Sequence, residues 1–546
     1  MTNLKKQKVT EEEAPQGISK LPDQLLLQIL SLLPTKDAFR TCLVSPTWRR
    51  LPTLIDSFNF TCSTDRERED FSFIQNALAH SLSSKIIKFK LDLTDLSLSD
   101  CSFRPEYETL ISGCFSFAVE REVENVLLWS QYSYGCTLPE SLCTCSSLIT
   151  LDVKHCGFNN AVISWNSLKS IKLGHLMLTD VEMVKLLAGC PALETMELYS
   201  YTGFHRLEIN SLKLKTLKLK DYVRSDGNGD DLEILAPYIQ HLEISGEDLK
   251  CRLVDASSVV NAKLIYSFTC IKGIPSTYVE DCCRDYRQVV YTLVQDNLQK
   301  LCYATDLTIG TWFTQVMCTL QFKGLPISEL NCKYLTLMLH MTTFNMYGVA
   351  GLLRVSPHVE TISIELEYTL LDDFPMYNFC CNSELLDLAK EDNMDLLSGV
   401  SSVEFHNLKK VKVVISSDAC WKDHVKRGFE KVTKLSEYML LNAPVLENFV
   451  IIISKRRSEK RQDTSNASRD LLCSNSFDAL LETTGKQVRK NESSALVSNT
   501  IDLGEDSLDE DGVDLGEDSL DEDEEDNRLD IFFDREAREG DISPRQ

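Results

Sequence analysis

The chain has 546 residues, of which 43% are apolar and 25% charged, an ordinary composition for a folded protein. Its formal net charge is −25, and residues 501–526 hold 15 acidic residues and no basic one. This charge argues against broad affinity for nucleic acids. The N-terminus lacks the apolar core of a secretory signal, and no apolar run is long enough to span a bilayer, so we expect an intracellular protein with no membrane span.

The 20 cysteines are spread along the whole chain. No two of them have the Cys-x-x-Cys spacing that is typical of structural zinc sites. In an intracellular protein, scattered cysteines are best interpreted as reduced thiols that fill small apolar sites. The sequence therefore predicts no bound metal and no disulfide framework.

Residues 1–16 are expected to be disordered, and the first predicted element is a helix in LPDQLLLQILSLLP, residues 21–34. Pro22 and Asp23 suit its first turn, and Pro34 marks its end. Its Leu and Ile residues cover an arc of roughly 160°, whereas a helix that lies on one core needs about 100°. One apolar surface is left over, either for a partner or for packing as a cap on the following domain.

Two further short helices are predicted to follow. TKDAFRTCLV has Thr35 as a helix N-cap, and SPTWRRL has Ser45 as an N-cap with Pro46 at the first helical position. Folds below about 40 residues usually need a metal, a disulfide or a partner to be stable. Three helices of this size therefore require a neighbour.

The segment LPDQLLLQILSLLPTKDAFRTCLVSPTWRRL resembles an F-box, with the Leu-Pro-Asp opening, the leucine-rich first helix and the Trp-Arg of the third helix in family order. One departure is Pro52, which stands where many plant relatives have an aromatic residue. The resemblance implies an F-box over residues 17–60 that binds a Skp-family adaptor and, through it, a cullin-RING ubiquitin ligase. The surplus apolar surface would then be half of an interface.

The resemblance also implies which side chains contact the adaptor, while Trp48 locks the module. The implied contact residues are Leu21, Pro22, Leu26, Ile29, Leu30, Leu33, Pro34 and Leu43.

The middle of the chain repeats the template apolar-x-x-apolar-x-apolar at intervals of 20 to 27 residues, which lie within the 20 to 29 expected of leucine-rich repeats. An ordinary α/β sheet is the alternative, but charged residues at the fifth template position argue against strands covered on both faces. We therefore predict a repeat solenoid over residues 70–399. The template begins at Val123, Leu148, Leu168, Leu193, Leu214 and Ile239, and again at Cys332 and Val359; the charged residues are Lys172, Glu197, Lys218 and Glu243.

Between the strands, the spacing of Val181, Val184, Leu187 and Ala188 predicts a helix on the outer side of the repeats. The template weakens over residues 246–330, where strands and a helix in DYRQVVYTLVQDNLQKL are predicted. Irregular repeats are favoured there over an inserted domain.

Residues 400–454 form a strand, helix and strand pattern that ends in NAPVLE, residues 442–447. This pattern resembles the FBD region that follows the repeats in many plant F-box proteins. With the F-box and the repeats, the resemblance covers most of residues 18–453. The FBD motif itself assigns no activity.

Residues 455–546 are predicted to be a disordered tail, basic and then acidic. KRRSEKR, residues 455–461, is either a nuclear import signal or a solvated strand flank. DLGEDSLDED occurs twice, and Ser507 and Ser519 within it are candidate sites for an acid-directed kinase. A calcium loop is rejected because Asp514 stands where such loops need an apolar residue. LDIFFDREA, from Leu529, is predicted to be a short helix.

No nucleophile, phosphate-loop or zinc-protease motif is present, and His155 beside Cys156 is interpreted as structural. The expected fold class is α/β: a three-helix F-box, an irregular leucine-rich-repeat solenoid and a disordered acidic tail. The expected function is a non-catalytic, cofactor-free substrate receptor of an SCF-type ligase, in the nucleus and/or cytoplasm. A non-degradative scaffold is the alternative, and a metal- or redox-active enzyme is a formal third.

Overall fold

The computed structural model describes fifteen stretches of the chain. The chain divides into two compact units. Unit 1 is Met1–Phe204 together with Ser211–Ser225, and unit 2 is His205–Asn210 together with Asp226–Gln546. The described residues are 21–43, 46–96, 105–131, 136–158, 161–222, 232–246, 249–266, 279–340, 346–368, 404–417, 432, 435–436, 438–440, 442–455 and 528–534.

Unit 1 contains six α-helices and seven strands among its described residues. The helices are α1 Asp23–Leu32, α2 Thr35–Arg40, α3 Glu67–Ala79, α4 Pro105–Glu120, α5 Glu140–Cys143 and α6 Asp180–Gly189. The strands are β1 Ser57–Ser63, β2 Lys88–Asp95, β3 Asn125–Trp129, β4 Thr150–Lys154, β5 Ser170–Gly174, β6 Thr195–Tyr199 and β8 Thr216–Lys220.

The described part of unit 2 has three α-helices with complete bounds and eleven strands. The helices are α7 Val279–Lys300, α8 Thr311–Phe322 and α9 Met346–Arg354. The strands are β7 Arg206–Glu208, β9 Leu232–Leu235, β10 His241–Gly246, β11 Cys251–Asp255, β12 Asn261–Tyr266, β13 Asp306–Gly310, β14 Tyr334–His340, β15 Thr361–Tyr368, β16 Lys410–Ser417, β17 Asn448–Lys455 and β18 Arg528–Asp534.

The predicted repeat strands are confirmed, and they are parallel and in register within each unit. In unit 1 the residue before each strand links consecutive repeats. The carbonyl of Glu124 accepts hydrogen bonds from the N–H groups of Ile149 (2.7 Å) and Thr150 (3.0 Å). The carbonyl of Lys169 does the same for Glu194 and Thr195. All three apolar positions of every predicted template are buried, so each repeat completes its core only against its neighbours.

Several strands were missed by the template because Phe or Ala replaces a typical Leu. Ile86, Phe89 and Leu91 fill its three positions at β2 and are buried. Ala262 and Ala304 occupy template positions at β12 and before β13. Because β10, β12, β13 and β14 are consecutive parallel neighbours, the prediction of irregular repeats rather than an inserted domain is confirmed. A separate three-stranded sheet of β11, β9 and β7 was not predicted.

The outer helix α6 is confirmed, but its buried face is not the predicted one. Val181 and Val184 are each 63% exposed, whereas Met183 and Leu186 are buried. Thr179 is the N-cap of α6 and forms a capping box with Glu182, which sets the start of the helix. Apolar residues occur all around this short helix, so spacing alone does not identify the side that meets the strands.

The N-terminal segment forms two helices as predicted, but the third is replaced by two 3-10 turns, Pro46–Arg49 and Leu51–Leu54. Pro52 lies buried in the second turn, at a position where it needs no backbone N–H. Thr35 is not the N-cap of α2, because Pro34 occupies that position. Ser45, the other predicted N-cap, lies outside the described residues.

The C-terminal part of unit 2 contains the predicted strands β16 and β17, and the described positions between residues 432 and 442 are helical. The predicted helix at LDIFFDREA is wrong over residues 528–534, which form β18. This strand pairs antiparallel with β17 and is the last strand of the sheet. The predictions for residues 1–16, 456–527 and 535–546 lie outside the described residues.

One disulfide, Cys136–Cys156, contradicts the expectation of reduced thiols throughout. The segments after β3 and β4 lie side by side there, joined also by a parallel bridge between Thr137 and Gly157. Stacking of consecutive repeats therefore brings together two cysteines that are 20 residues apart. Most other described cysteines are buried and unpaired, as predicted. None of the described helices combines the length and apolar character that crossing a membrane requires.

Candidate functional site

Helix α1 separates its leucines into an inner and an outer face. Leu26 and Leu30 are buried, at 3% and 0% exposure, and the helix contacts α2 and the turn Leu51–Leu54. Leu25 and Leu32 are 44% and 84% exposed. Leu21, which precedes the helix, is also exposed. The helix therefore completes a small core and still presents leucines outward.

The remaining predicted contact residues divide in the same way. Leu43 is 90% exposed, and Pro22 and Pro34 are exposed as well. Ile29 and Leu33 are half-buried. Trp48 is buried, which agrees with the structural part predicted for it. We define the exposed leucine face as Leu21, Leu25, Leu32 and Leu43.

Burial in the free chain divides the predicted set. Leu26 and Leu30 belong to the core of the module and do not lie on its surface. Leu25 and Leu32, which the predicted set leaves out, do lie on the surface, and which residues contact the adaptor stays a prediction. The signal for this pair is its seven-residue spacing, because it places both side chains on one side of an α-helix.

The module is held by polar links against the first repeat, which consists of β1 and α3. Thr35 is fully buried, and its hydroxyl accepts the N–H of Asn59 at 2.7 Å. Ser31 Oγ donates to Asp56 Oδ1 at 3.0 Å. Lys36 Nζ lies 2.8 Å from Oδ1 of the buried Asp70. These contacts fix the orientation of α1 and α2 and leave the exposed leucine face free of the repeats.

Comparison with known proteins agrees with this geometry. A family model described as "F-box domain" matches residues 18–59, and one described as "FBD-associated F-box protein At5g56370, LRR repeats" matches residues 111–260. The chain is 30% identical over 357 residues to the F-box/LRR-repeat protein At5g02910 of Arabidopsis thaliana, across 64% of this chain and 71% of that protein. This chain belongs to the F-box/LRR-repeat family.

Two further Arabidopsis thaliana relatives extend the match. The putative F-box/LRR-repeat protein At3g18150 is 29% identical over 456 residues, which cover 81% of this chain and 88% of that protein. The F-box/LRR-repeat protein At3g03360 is 28% identical over 362 residues, 65% of this chain and 71% of that protein. The N-terminal module is therefore the F-box, and proteins with this module are typically substrate adaptors of SCF-type ligases.

In each unit of this F-box/LRR-repeat protein, the repeat strands have one buried face and one half-exposed face. We call the half-exposed face the open face; it consists of the strand residues that alternate with the buried template positions. Charged residues occur there at the fifth template position, as the sequence indicated. Glu197 lies 3.3 Å from Lys172 and 3.8 Å from Lys220, both on neighbouring strands in unit 1. In unit 2, Lys263 and Glu243 are 3.4 Å apart. Solvent-facing ion pairs of this kind link neighbouring repeats but add little stability each.

Burial governs the protonation of His155 and of several of the described cysteines. Burial and the neighbouring His175 and Lys154 lower the pKa of His155 to about 4. Its neighbour Cys156 is in the disulfide. Burial raises the pKa of Cys62 and Cys190 to about 12, so these thiols stay protonated near neutral pH. Over the described part of the chain, no three His, Cys, Asp or Glu side chains are grouped as metal ligands.

Proposed function

We propose that this chain is a substrate-recognition subunit of an SCF-type ubiquitin ligase. Its F-box binds a Skp-family adaptor through the exposed leucine face, and its repeats bind a protein target. The observation that carries the proposal is the exposure of Leu25, Leu32 and Leu43 on a module whose own core is already complete. Exposed apolar residues that are grouped in this way mark interaction surfaces.

The energetic argument rests on what the adaptor would cover. Fully burying a leucine side chain stabilises a complex by about 1.5–3 kcal/mol. Leu32 and Leu43 are almost fully exposed in the free chain, so nearly all of this free energy is available for binding. The buried Leu26 and Leu30 contribute indirectly, since they hold α1 in place.

In this role the chain has no catalytic residue. A receptor accelerates ubiquitin transfer by holding the lysines of its target near an enzyme on another subunit, which raises their effective concentration. The open face of the repeats is the surface we propose for the target. We propose a nuclear and/or cytoplasmic location. The basic cluster at residues 455–461 supports import, although all but Lys455 lies outside the described residues.

The first experiment measures the affinity of a purified Skp-family adaptor for the full chain and for Leu32→Asp. A carboxylate in the middle of an apolar interface must be desolvated without a partner, so we expect a loss of about 100-fold or more. Val184→Asp is the matched control, because Val184 is an exposed apolar residue on α6, outside the F-box. Unchanged affinity of Leu32→Asp would contradict the proposal.

Leu30→Asp is unsuitable as the test because Leu30 is fully buried. A buried unpaired carboxylate would unfold the module, and loss of binding would then say nothing about the interface. Circular dichroism of Leu32→Asp should match the wild-type protein, because its site is exposed.

A second measurement separates the ligase receptor from a non-degradative scaffold. Proteins that are retained by both the wild-type chain and Leu32→Asp are target candidates. If the abundance of such a target rises when this chain is removed from cells, the receptor function is supported. Target abundance that does not respond would favour the scaffold.

A further inference from the structure

An aromatic and cationic group of side chains lies at the ends of four adjacent strands on the open face of unit 1. The strand register aligns Trp129, Lys154, Gly174 and Tyr199 across β3, β4, β5 and β6. His175 follows Gly174 directly. We call Trp129, Lys154, His175 and Tyr199 the aromatic–lysine cluster.

Lys154 is at the centre of this cluster and is surrounded by rings. Its Nζ lies 4.1 Å from the centroid of the Trp129 ring and 5.8 Å from that of Tyr199. Two other lysines of the face contact the same rings but also have carboxylate partners: Lys90 with Asp92 at 3.2 Å, and Lys172 with Glu197 at 3.3 Å. Within the described residues, no carboxylate lies within 4.0 Å of Lys154. A ring face balances only part of an ammonium charge, so Lys154 retains capacity for an anion.

The rings beside Lys154 are held in place by the backbone. A Cβ atom at Gly174 would approach the Tyr199 ring to 1.9 Å, which shows that this ring lies directly on the Gly174 backbone. His175 packs edge-to-face against Tyr199 at 5.5 Å and stacks on His155 at 4.2 Å. A fixed platform of this kind loses little entropy on binding.

The rings of the cluster supply packing surface, and its ammonium supplies the polar contact. Trp129 Nε1 and Tyr199 Oη are buried, so they do not reach a ligand on the open face. The neighbouring Asp152 carboxylate is also part-buried and lies within hydrogen-bonding reach of Trp129. The ammonium of Lys154 is therefore the donor that the cluster offers, and it is matched to a single negatively charged group.

The surrounding charges favour an acidic partner. On the open face of unit 1, over β2 to β6 and β8, six lysines stand against three carboxylates, although the whole chain has a net charge of −25. The lysines are Lys88, Lys90, Lys154, Lys172, Lys218 and Lys220, and the carboxylates are Asp92, Asp152 and Glu197. A locally positive face on an acidic protein selects partners of opposite charge and repels others.

We propose that the aromatic–lysine cluster binds an acidic segment of the protein target. A carboxylate of that segment contacts Lys154, and apolar side chains beside it pack on the rings of Trp129 and Tyr199. This assignment rests on the proposed target-binding role of the repeats. It adds that the target is a protein with an acidic segment.

The test uses fluorescence anisotropy with the full chain and a labelled twelve-residue peptide of Glu, Leu and Ser. We expect this peptide to bind, and an otherwise identical peptide with Gln in place of Glu to bind about tenfold more weakly or less. Lys154→Met keeps the apolar stem over Trp129 and removes the charge, so it should also weaken binding of the acidic peptide about tenfold. Lys154→Arg should retain binding.

Two further variants complete the test. Gly174→Ala should weaken binding with Lys154 intact, because the added methyl group displaces the Tyr199 ring. Lys185→Met, at an exposed lysine on α6, should leave binding unchanged. No binding of the acidic peptide to the wild-type chain, or binding that is insensitive to Lys154→Met, would overturn the assignment. Tighter, Lys154-dependent binding of an oligothymidine would overturn it in favour of single-stranded nucleic acid.

The proposal can fail separately from the ligase function. Lys154→Met should bind the Skp-family adaptor as the wild-type chain does, and Leu32→Asp should still bind the acidic peptide. Loss of peptide binding alone in Lys154→Met supports the cluster, and loss of adaptor binding alone in Leu32→Asp supports the F-box interface.

Discussion

Single side chains that make several hydrogen bonds connect elements far apart in the sequence. Asn297 on α7 is only 1% exposed. Its amide oxygen accepts the N–H of Leu253 at 2.9 Å, and its Nδ2 donates to the carbonyl of Cys251 and the hydroxyl of Tyr266, each at 2.8 Å. This one residue therefore joins the helix α7 to β11 and β12, the strands of two different sheets.

Replacing Asn297 with Leu should lower the free energy of unfolding of this region by about 2–4 kcal/mol, because the N–H of Leu253 and the carbonyl of Cys251 lose a partner in a buried site. Hydrogen exchange of peptides from β11 and β12 measures the change. Gln295→Ala is the control. Gln295 also lies on α7 and bonds the carbonyl of Pro326, but at an exposed position, so less than about 0.5 kcal/mol is expected. Equal exchange in the two variants would contradict the part assigned to Asn297.

Helices of this protein are placed by tertiary packing more than by their own apolar pattern. Both α1 and α6 have apolar residues on more than one side, and each buries only one of them. In α1 the outer side forms the exposed leucine face; in α6 it consists of Val181 and Val184, each 63% exposed. A short apolar helix can thus serve a core and a surface together.

The two sides of α6 should respond differently to truncation. Met183→Ala should lower the free energy of unfolding by about 2–4 kcal/mol, because Met183 is 1% exposed and its removal leaves a cavity. Val184→Ala should change it by less than about 0.5 kcal/mol. Urea unfolding followed by circular dichroism compares the two variants. A larger effect at Val184 would show that the face identified by sequence spacing is the buried one.

At the scale of the molecule, unit 1 contains both the F-box and the repeat that stabilises it. The F-box supplies the exposed leucine face, and the first repeat supplies the surface that the F-box needs for stability. The buried Asp70 is central to this attachment, since it accepts hydrogen bonds from Lys36 Nζ at 2.8 Å and from the N–H of Ser63 at 3.2 Å. The ring of Phe39 also packs edge-to-face against Phe73 at 5.7 Å.

Lys36→Met should loosen the F-box from the first repeat by about 1–2 kcal/mol. Without the Lys36 ammonium, the buried Asp70 carboxylate has one partner fewer. Solvent screens the Lys36–Asp70 attraction, because Lys36 is itself 38% exposed, so the loss of free energy stays small. Faster hydrogen exchange over residues 21–43 is the expected result. Arg40→Met removes a more exposed ion pair with Asp37 on the same helix and should leave exchange unchanged. If both variants exchange alike, the Lys36–Asp70 pair does not hold the F-box.

Much of this fold follows from local pattern. The leucine template predicted eight strands correctly, because every repeat must bury the same three positions against the next. The F-box motif was recognisable because its prolines, leucines and Trp48 have a characteristic order. Phe89, Ala262 and Ala304 show where the pattern failed: the buried positions are the same, but the residue types are atypical.

The sequence by itself determined the class of the protein, the register of its repeats and the surplus of apolar residues in α1. Only the tertiary structure decided which leucines remain exposed, because rotation of a short helix about its axis is set by the surface it packs on. It also decided the Cys136–Cys156 disulfide and the aromatic–lysine cluster, whose members are far apart in the chain. Parallel stacking in register places equivalent positions of successive repeats side by side, and contacts of that kind have no signal within any single repeat.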